Sequence, residues 1–500
     1  MLNARSMSRA IDHGAEERRQ FEKSQQKKKR REFDREKDKL NGVLRELTAR
    51  MNDDRSPEIP ATLVVKPTSR LAGTIAAPPS KSYAHRALMV AGLCDQRTII
   101  KNPLIASDIL GTVQAWWSLG ATVEYDRTVN EISIQGVRQP LPRGEEIFVR
   151  ESGTTLRFVL PGLAFCTQGV IVQGNGSLLT RTNNMIVGPL KDHVGMDVQG
   201  STDRNCVPLA VKGMGYLPVS DVILRGNQSS QVVSSFLMWL PLAKRKFWAR
   251  AGLAPQSSTI RIDGELVSKP YVDITIDVLK WAGIRIEGTS GSGYTVPAEQ
   301  HFTPKDKFFR VPGDYSSAAF LLAAACLMPS KVTVTDLQAD AQGDKKIVSI
   351  LKQMGANITH ENGEVTVVGP AKLHGIDLDC GDIPDLVPIL CVLGACAQGT
   401  TRLTNIAHLK HKESDRLAAP TEQLRRMGAK ISYSDDSITV EHSTLVPSRV
   451  SSKGDHRLAM SLMVAGLVSG GVEVEDARAI AKSYPRFVRD LRALGAQIDA

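Results

Sequence analysis

Between residue 61 and the end of the chain one pattern recurs six times: a helical stretch, a hydrophobic–Gly–small turn, then a strand. The turns are Leu119-Gly120-Ala121, Val194-Gly195-Met196, Ala282-Gly283-Ile284, Met354-Gly355-Ala356, Met427-Gly428-Ala429 and Leu494-Gly495-Ala496. Their glycines stand 75, 88, 72, 73 and 67 residues apart. Glycine closes a helix in the left-handed conformation, and a β-branched strand follows. Upstream in each unit lies an Ala/Leu-rich segment, AAFLLAAACL and VPILCVLGAC among them, apolar nearly all round and therefore expected to be buried. About 70 residues are too few to enclose such a helix, whereas three units around one axis can. Six units thus predict an α/β chain folded into two similar globules of three.

Composition agrees with packed cores. Of 500 residues, 42% are hydrophobic but only 5% aromatic, so the interior must be built from Ala, Val, Ile and Leu. No stretch of 18 apolar residues is present to span a membrane. The opening MLNARSMSRAIDHGAEERRQ lacks the apolar core of a secretory signal, and Asp12, Glu16 and Glu17 argue against a transit peptide. The seven cysteines (94, 166, 206, 326, 380, 391 and 396) form no C-x-x-C pair and read as small buried hydrophobes in a reducing cytoplasm. The net charge of +10 suits small anionic ligands; nucleic acid is the weaker reading, because the candidate sites are scattered singly along the chain.

Residues 1–61 stand apart as a charged, helical or disordered extension. A short stripe of Leu40, Leu44, Leu47 and Met51 has helical spacing, weakened by Asn41-Gly42. The expectation is a solvated, partly helical tail; a partner-docking helix and a weak polyanion contact through Lys27 to Arg31 are the alternatives. NDDRSPEIP reads as a linker.

Polar residues gather just ahead of the apolar helices: PPSKSYAHR at 78–86, ESGTTLR at 151–157, QSSQ at 228–231, GDYSS at 313–317, IPD at 383–385 and GDHR at 454–457. A helix N-terminus exposes free N–H groups and the positive end of the dipole, and so attracts phosphate and carboxylate. Singly, such residues are ordinary caps. Six equivalent tips, several bearing Lys or Arg, predict an anion-filled cleft. Metal-binding histidine spacings, the P-loop pattern and G-x-S-x-G are all absent.

PPSKSYAHRAL and HKESDRL resemble the two signatures of the EPSP synthase (3-phosphoshikimate 1-carboxyvinyltransferase) family. ESGTTLR, QSSQ, ELVSKPYVDIT, IPD, GDHRLAM and AKSYPRF follow in that family's order, over residues 62–500. The resemblance implies an enolpyruvate transferase-like fold: two globules of three βαβαββ units with pseudo-three-fold symmetry, one formed by 62–77 plus 312–500, the other by 78–311, with the active site in the cleft between them. It implies transfer of the enolpyruvyl group of phosphoenolpyruvate to the 5-hydroxyl of shikimate 3-phosphate, with release of phosphate, in a cytoplasmic monomer that uses no metal or organic cofactor.

By the same resemblance Lys81, Asp385 and Glu413 are the proton-transfer candidates. Lys81, Gly153, Arg181, Gln231, Arg416, Arg457 and Lys482 surround phosphoenolpyruvate. Ser82, Arg86, Ser229, Ser230, Gln231, Ser268, Tyr271, Asp385, His408 and Lys412 surround shikimate 3-phosphate. The two substrates carry about −6 at neutral pH, which Lys81, Arg86, Arg181, Lys412, Arg416, Arg457 and Lys482 can balance. Gly153 leaves room for the inhibitor glyphosate. Two positions depart from the pattern: Glu151 stands where many relatives carry Asn, and would repel an anion unless it pairs with a cation. His408 stands where some carry Asn. The rival readings are a UDP-N-acetylglucosamine enolpyruvyl transferase, whose relatives carry a reacting loop cysteine, and a non-catalytic anion-binding scaffold. An open empty form and a closed liganded form are expected.

Overall fold

The computed structural model describes residues 27–28, 30–51, 59–244, 256–289 and 291–499. Residues 1–26 and most of the linker lie outside the described residues. All six repeat glycines have positive φ, at 105, 79, 79, 103, 86 and 112° in chain order, so the turn that sets the repeat is the left-handed helix stop its sequence predicts.

Among the described residues the strands form six four-stranded sheets of one topology. The unit spanning 377–441 shows it plainly. Strand Asp377–Asp379 leads into helix Val387–Cys396, strand Thr400–Thr404, helix Ala418–Arg426 and the hairpin Lys430–Tyr433 with Ser437–Glu441. The first two strands pair in parallel, and the fourth is inserted antiparallel between the second and third. This is the βαβαββ unit.

Three units are completed by distant chain, one of them by Leu71–Ala76 pairing in parallel with Ser330–Thr335. Thr62–Val65 enters between Val472–Glu475 and Ile498–Asp499, antiparallel to both. Phe308–Arg310 returns to pair in parallel with Thr98–Lys101. The chain therefore passes twice between the groups of three units, and the two passages touch at the Pro79–Gly313 bridge. Buried apolar side chains fall into two clusters. One runs from Tyr83 to Val311; the other joins Leu63–Ala77 to Tyr315–Ile498. At the centre lie helices buried on every side, such as Tyr315–Leu327, in which all but the last residue are buried. Glycine lets such a helix approach its sheet: a Cβ at Gly466 would fall 2.3 Å from Cγ1 of the strand residue Val472.

The N-terminal extension departs from the expected solvated tail. Residues 30–51 form one helix through Asn41-Gly42, and Leu40 and Leu47 are buried in the core cluster of 83–311. Phe33 packs on Trp117 with ring centroids 5.8 Å apart, and the Arg143 guanidinium lies over the same indole. The apolar stripe finds its surface on its own chain, and burying two leucines and part of a phenylalanine outweighs the helix cost of one glycine, about 1 kcal/mol. Leu47→Ala should weaken this docking by about 2–5 kcal/mol. Limited proteolysis checks it: the segment should be cut faster while the rest of the chain stays intact, and unchanged protection would refute the docking. No helix among the described residues is long and apolar enough to cross a membrane.

Candidate functional site

Each apolar helix begins in a polar loop, and four of these loops supply a side-chain cap. Ser152 Oγ accepts from the Thr155 N–H and Ser229 Oγ from the Gln231 N–H. Asp314 accepts from Ser317 N–H and Asp455 from Arg457 N–H. The capping role anticipated for each residue alone is thus real. The tips also converge: Lys81, Thr154, Ser230, Asp385 and His456, from five different helix starts, border one cavity. The sixth start supplies Asp314, buried beneath it.

Every candidate residue named from the sequence borders this cavity except Gly153, Arg457 and Lys482; the first two touch residues that line it, whereas Lys482 is held by Glu151 and Gly454 outside the lining. Gly153 lies under Arg181, where a Cβ would meet Nη1 at 3.1 Å. Arg457 Nη2 donates to Asp385 Oδ2 at 3.1 Å.

The cavity is organised around Arg416, 1% exposed. Its Nε and Nη2 donate to the two oxygens of fully buried Asp455 at 2.8 and 3.2 Å. Nη1 reaches Asp385 Oδ1 at 2.6 Å and Nη2 reaches Glu413 Oε2 at 3.0 Å. One planar fork thus serves three carboxylates, which an ammonium could not do. Burial opposes the charge of Asp385 and of Glu413, and there the cationic partners prevail. Arg457, Arg416 and Lys412 hold Asp385 well below the ordinary carboxylate range, and Arg416 and Arg181 do the same for Glu413. Both are therefore held ionised, the form that can accept a proton. Burial pushes Lys412 down from the ordinary ammonium value, which eases loss of a proton.

On the other wall Lys81 Nζ donates to Asp108 Oδ2 at 2.9 Å. Arg86 bonds Thr275 Oγ1 at 2.7 Å, Ser82 O at 3.0 Å and Ser234 Oγ at 3.3 Å, with Phe158 beneath its guanidinium. Arg157 Nη1 bonds Gln231 Oε1 at 2.5 Å, which leaves the Gln231 amide to donate to Thr154. The Nε atoms of Arg157 and Arg181, and Nε and Nη1 of Arg457, are buried with no hydrogen-bond partner among the described residues. Buried guanidinium N–H groups left so cost free energy until an anion meets them.

Sequence reasoning missed Asp108, Arg157, Thr154, His456 and Asp455. Arg157, Thr154, His456 and Asp455 stood inside quoted motifs without a role. Asp108 carries only a weak signal, an acid in the first turn of helix Ser107–Ser118.

The doubt over Glu151 is resolved by its partner. Lys482 Nζ donates to Glu151 Oε1 at 2.7 Å and to Gly454 O at 2.8 Å, and Ser177 N–H donates to the same Glu151 oxygen. The pair links the two core clusters, as do Tyr271 Oη to Asp385 Oδ2 at 3.1 Å and Ser268 N–H to Gly381 O at 2.8 Å. Burial raises the Glu151 carboxyl, but Lys482 and Ser177 bring it below its ordinary value. The link is therefore intact above the usual carboxylate range and is lost as pH falls through the depressed value. Glu151→Gln should remove about 1.5–3 kcal/mol of this contact and enlarge the ligand-free protein in small-angle scattering. An unchanged radius of gyration would refute the latch.

A family model described as EPSP synthase (3-phosphoshikimate 1-carboxyvinyltransferase) matches residues 65–491. The 3-phosphoshikimate 1-carboxyvinyltransferase of Methanosarcina mazei is 39% identical over 437 residues, 86% of this chain and 97% of its own. That of Methanocaldococcus jannaschii is 37% identical over 441 residues, 87% of this chain and 99% of its own. Among solved structures, EPSP synthase from Acinetobacter baumannii matches with TM-score 0.72 at 25% identity, covering 88% of this chain and 99% of that one. The enolpyruvyl transferase NikO from Streptomyces tendae shares the fold, with TM-score 0.67 at 15% identity over 88% of this chain and 98% of its own.

Proposed function

The chain belongs to the EPSP synthase family, and from that premise we propose that the cavity between 78–311 and 62–77 plus 312–500 is where phosphoenolpyruvate and shikimate 3-phosphate react. The reaction is enolpyruvyl transfer in the shikimate pathway. The 5-hydroxyl oxygen bonds to C2 of phosphoenolpyruvate, the hydroxyl loses its proton, and a proton is added to the C3 methylene. The methyl group so formed then gives up a proton as the C2–O bond to phosphate breaks.

Lys81, Arg181, Arg416, Arg457 and Lys482 supply positive charge to the phosphate and carboxylate of the enol donor, with Gly153 and Gln231 beside them. Ser229, Ser230, Ser268 and Lys412 hold the phosphate of the acceptor; Ser82, Arg86, Asp385, Tyr271 and His408 meet its ring and carboxylate. Asp385, held ionised, is suited to take the hydroxyl proton, while Lys81 and Glu413 exchange protons with the C3 carbon. Each transfer is worth about 10²–10⁴-fold. The two bodies close on the substrates, in a monomer of the cytoplasm.

One observation carries this reading: two carboxylates kept anionic by buried guanidiniums share a cavity with Lys81 and with arginine N–H groups that lack partners. The cysteines support the shikimate acceptor over the UDP-sugar, since none borders the cavity and burial pushes the thiols of Cys94, Cys166, Cys326, Cys380 and Cys396 up to about 12. A phosphate-release assay tests the proposal. Release is expected with phosphoenolpyruvate plus shikimate 3-phosphate. Release only with UDP-N-acetylglucosamine, or with neither acceptor, would overturn it.

A further inference from the structure

A buried chain of hydroxyls fixes the tautomer of a cleft imidazole to which no role has been given above. His85 lies one helical turn beyond Lys81, is 1% exposed, and borders the cavity. Its Nδ1 is 2.8 Å from Thr112 Oγ1, which is 2.7 Å from Thr155 Oγ1. Thr155 Oγ1 in turn donates to Ser152 Oγ at 2.8 Å. Each hydroxyl has one proton. That of Thr155 points to Ser152, so the proton between the threonines belongs to Thr112. Thr112 then has none to offer the ring, and Nδ1 must carry the hydrogen it donates to Thr112. Burial, with Lys81 and Arg86 nearby, holds the imidazole well below its ordinary pKa, so it stays neutral. Nε2 is therefore a bare acceptor, fully buried and without a partner among the described residues.

The cleft around it is crowded with donors from Lys81, Arg86, Arg181, Lys412 and Arg416, while Glu413 accepts from a guanidinium and Asp385, which accepts from two, is committed to the hydroxyl that reacts. Fully ionised phosphoenolpyruvate brings only acceptors. Shikimate 3-phosphate brings ring hydroxyls, each a donor that loses a partner on leaving water. We propose that His85 Nε2 accepts a hydrogen bond from a ring hydroxyl of shikimate 3-phosphate, so that His85 determines specificity for the acceptor substrate. The proposal rests on the cleft being the substrate site. Thr112 is then a positioning residue, holding the tautomer without touching the ligand.

The full chain, labelled with 15N at histidine, tests this directly. In the free protein His85 should show a protonated Nδ1 and an unprotonated Nε2, and shikimate 3-phosphate, but not phosphoenolpyruvate alone, should shift the Nε2 resonance. His85→Phe and Thr112→Val should each raise KM for shikimate 3-phosphate about tenfold with KM for phosphoenolpyruvate within about twofold; Thr112→Ser, which keeps the hydroxyl, should behave as the parent. The opposite tautomer overturns the proposal. So does an Nε2 signal indifferent to shikimate 3-phosphate while His408 responds, an outcome that leaves the cleft reading standing. If neither histidine responds, both fall. Should a substituted chain fail to fold, the titration of the parent decides alone.

Discussion

Arg416→Met should destabilise the protein by about 3–5 kcal/mol and abolish turnover. The size of the loss follows from what the guanidinium leaves behind. Asp455 is fully buried and has Arg416 on both of its oxygens, while Asp385 and Glu413 each lose a partner at 3.0 Å or less. Removing one member of a buried ionic network strands the others without water, which costs far more than the intact network contributes. Arg457 still holds Asp385, which limits the damage on that side. The pH dependence has a definite sign. Asp385 and Glu413 have depressed carboxyl values in the folded state, so their paired forms stabilise above the usual carboxylate range and that contribution fades as pH falls. The gap between parent and variant in urea midpoint should therefore be widest near neutrality and narrow on acidification. A gap that stays constant, or a loss under about 1 kcal/mol, would show that the network is not what the geometry says.

Lys81→Met should lower kcat by about 10²–10⁴-fold while shikimate 3-phosphate still binds. The serines assigned to its phosphate are untouched by the change. The complication is structural: Asp108 is left 9% exposed on its side chain, with Oδ1 already lacking a partner. A stability loss is expected from that stranded charge, and it would obscure the kinetic effect. The double variant Lys81→Met with Asp108→Asn separates the two, because it removes both charges of the pair together. Stability should return and activity should not. If the double variant regained activity, or if Lys81→Met alone kept kcat within about tenfold, Lys81 would be a structural cation and not a proton carrier. Single-turnover phosphate release measures this without interference from product departure.

The readable parts of this chain are those whose cause is local. A glycine between a helix and a strand needs only its own backbone to demand a positive φ, and all six repeat glycines have one. A helix apolar on every side, such as Val387–Cys396, has nowhere to go but a core. Residues in one loop, such as His411 to Leu417, travel together, so His411, Lys412, Glu413 and Arg416 of a motif seen in sequence arrive together at the cavity. The unread parts are pairings between loops. Nothing near Lys81 identifies Asp108 as its partner, and nothing near Glu151 identifies Lys482, 331 residues away, as the cation that relieves its charge. The extension shows the same divide. Its apolar stripe is visible in Leu40, Leu44 and Leu47, but a stripe does not say whether it will meet a partner, water or the chain's own Trp117.

Local propensity and periodicity therefore establish the repeated unit, its buried helices and the polar loops at their tips, because turns, caps and amphipathic faces depend on residues a few positions apart. Which strand completes each sheet, which carboxylate neutralises which cation, and which imidazole nitrogen is left bare depend on groups brought together from across the chain. Those choices turn on angstrom-scale distances and on exclusion of water, and only the packed molecule creates either.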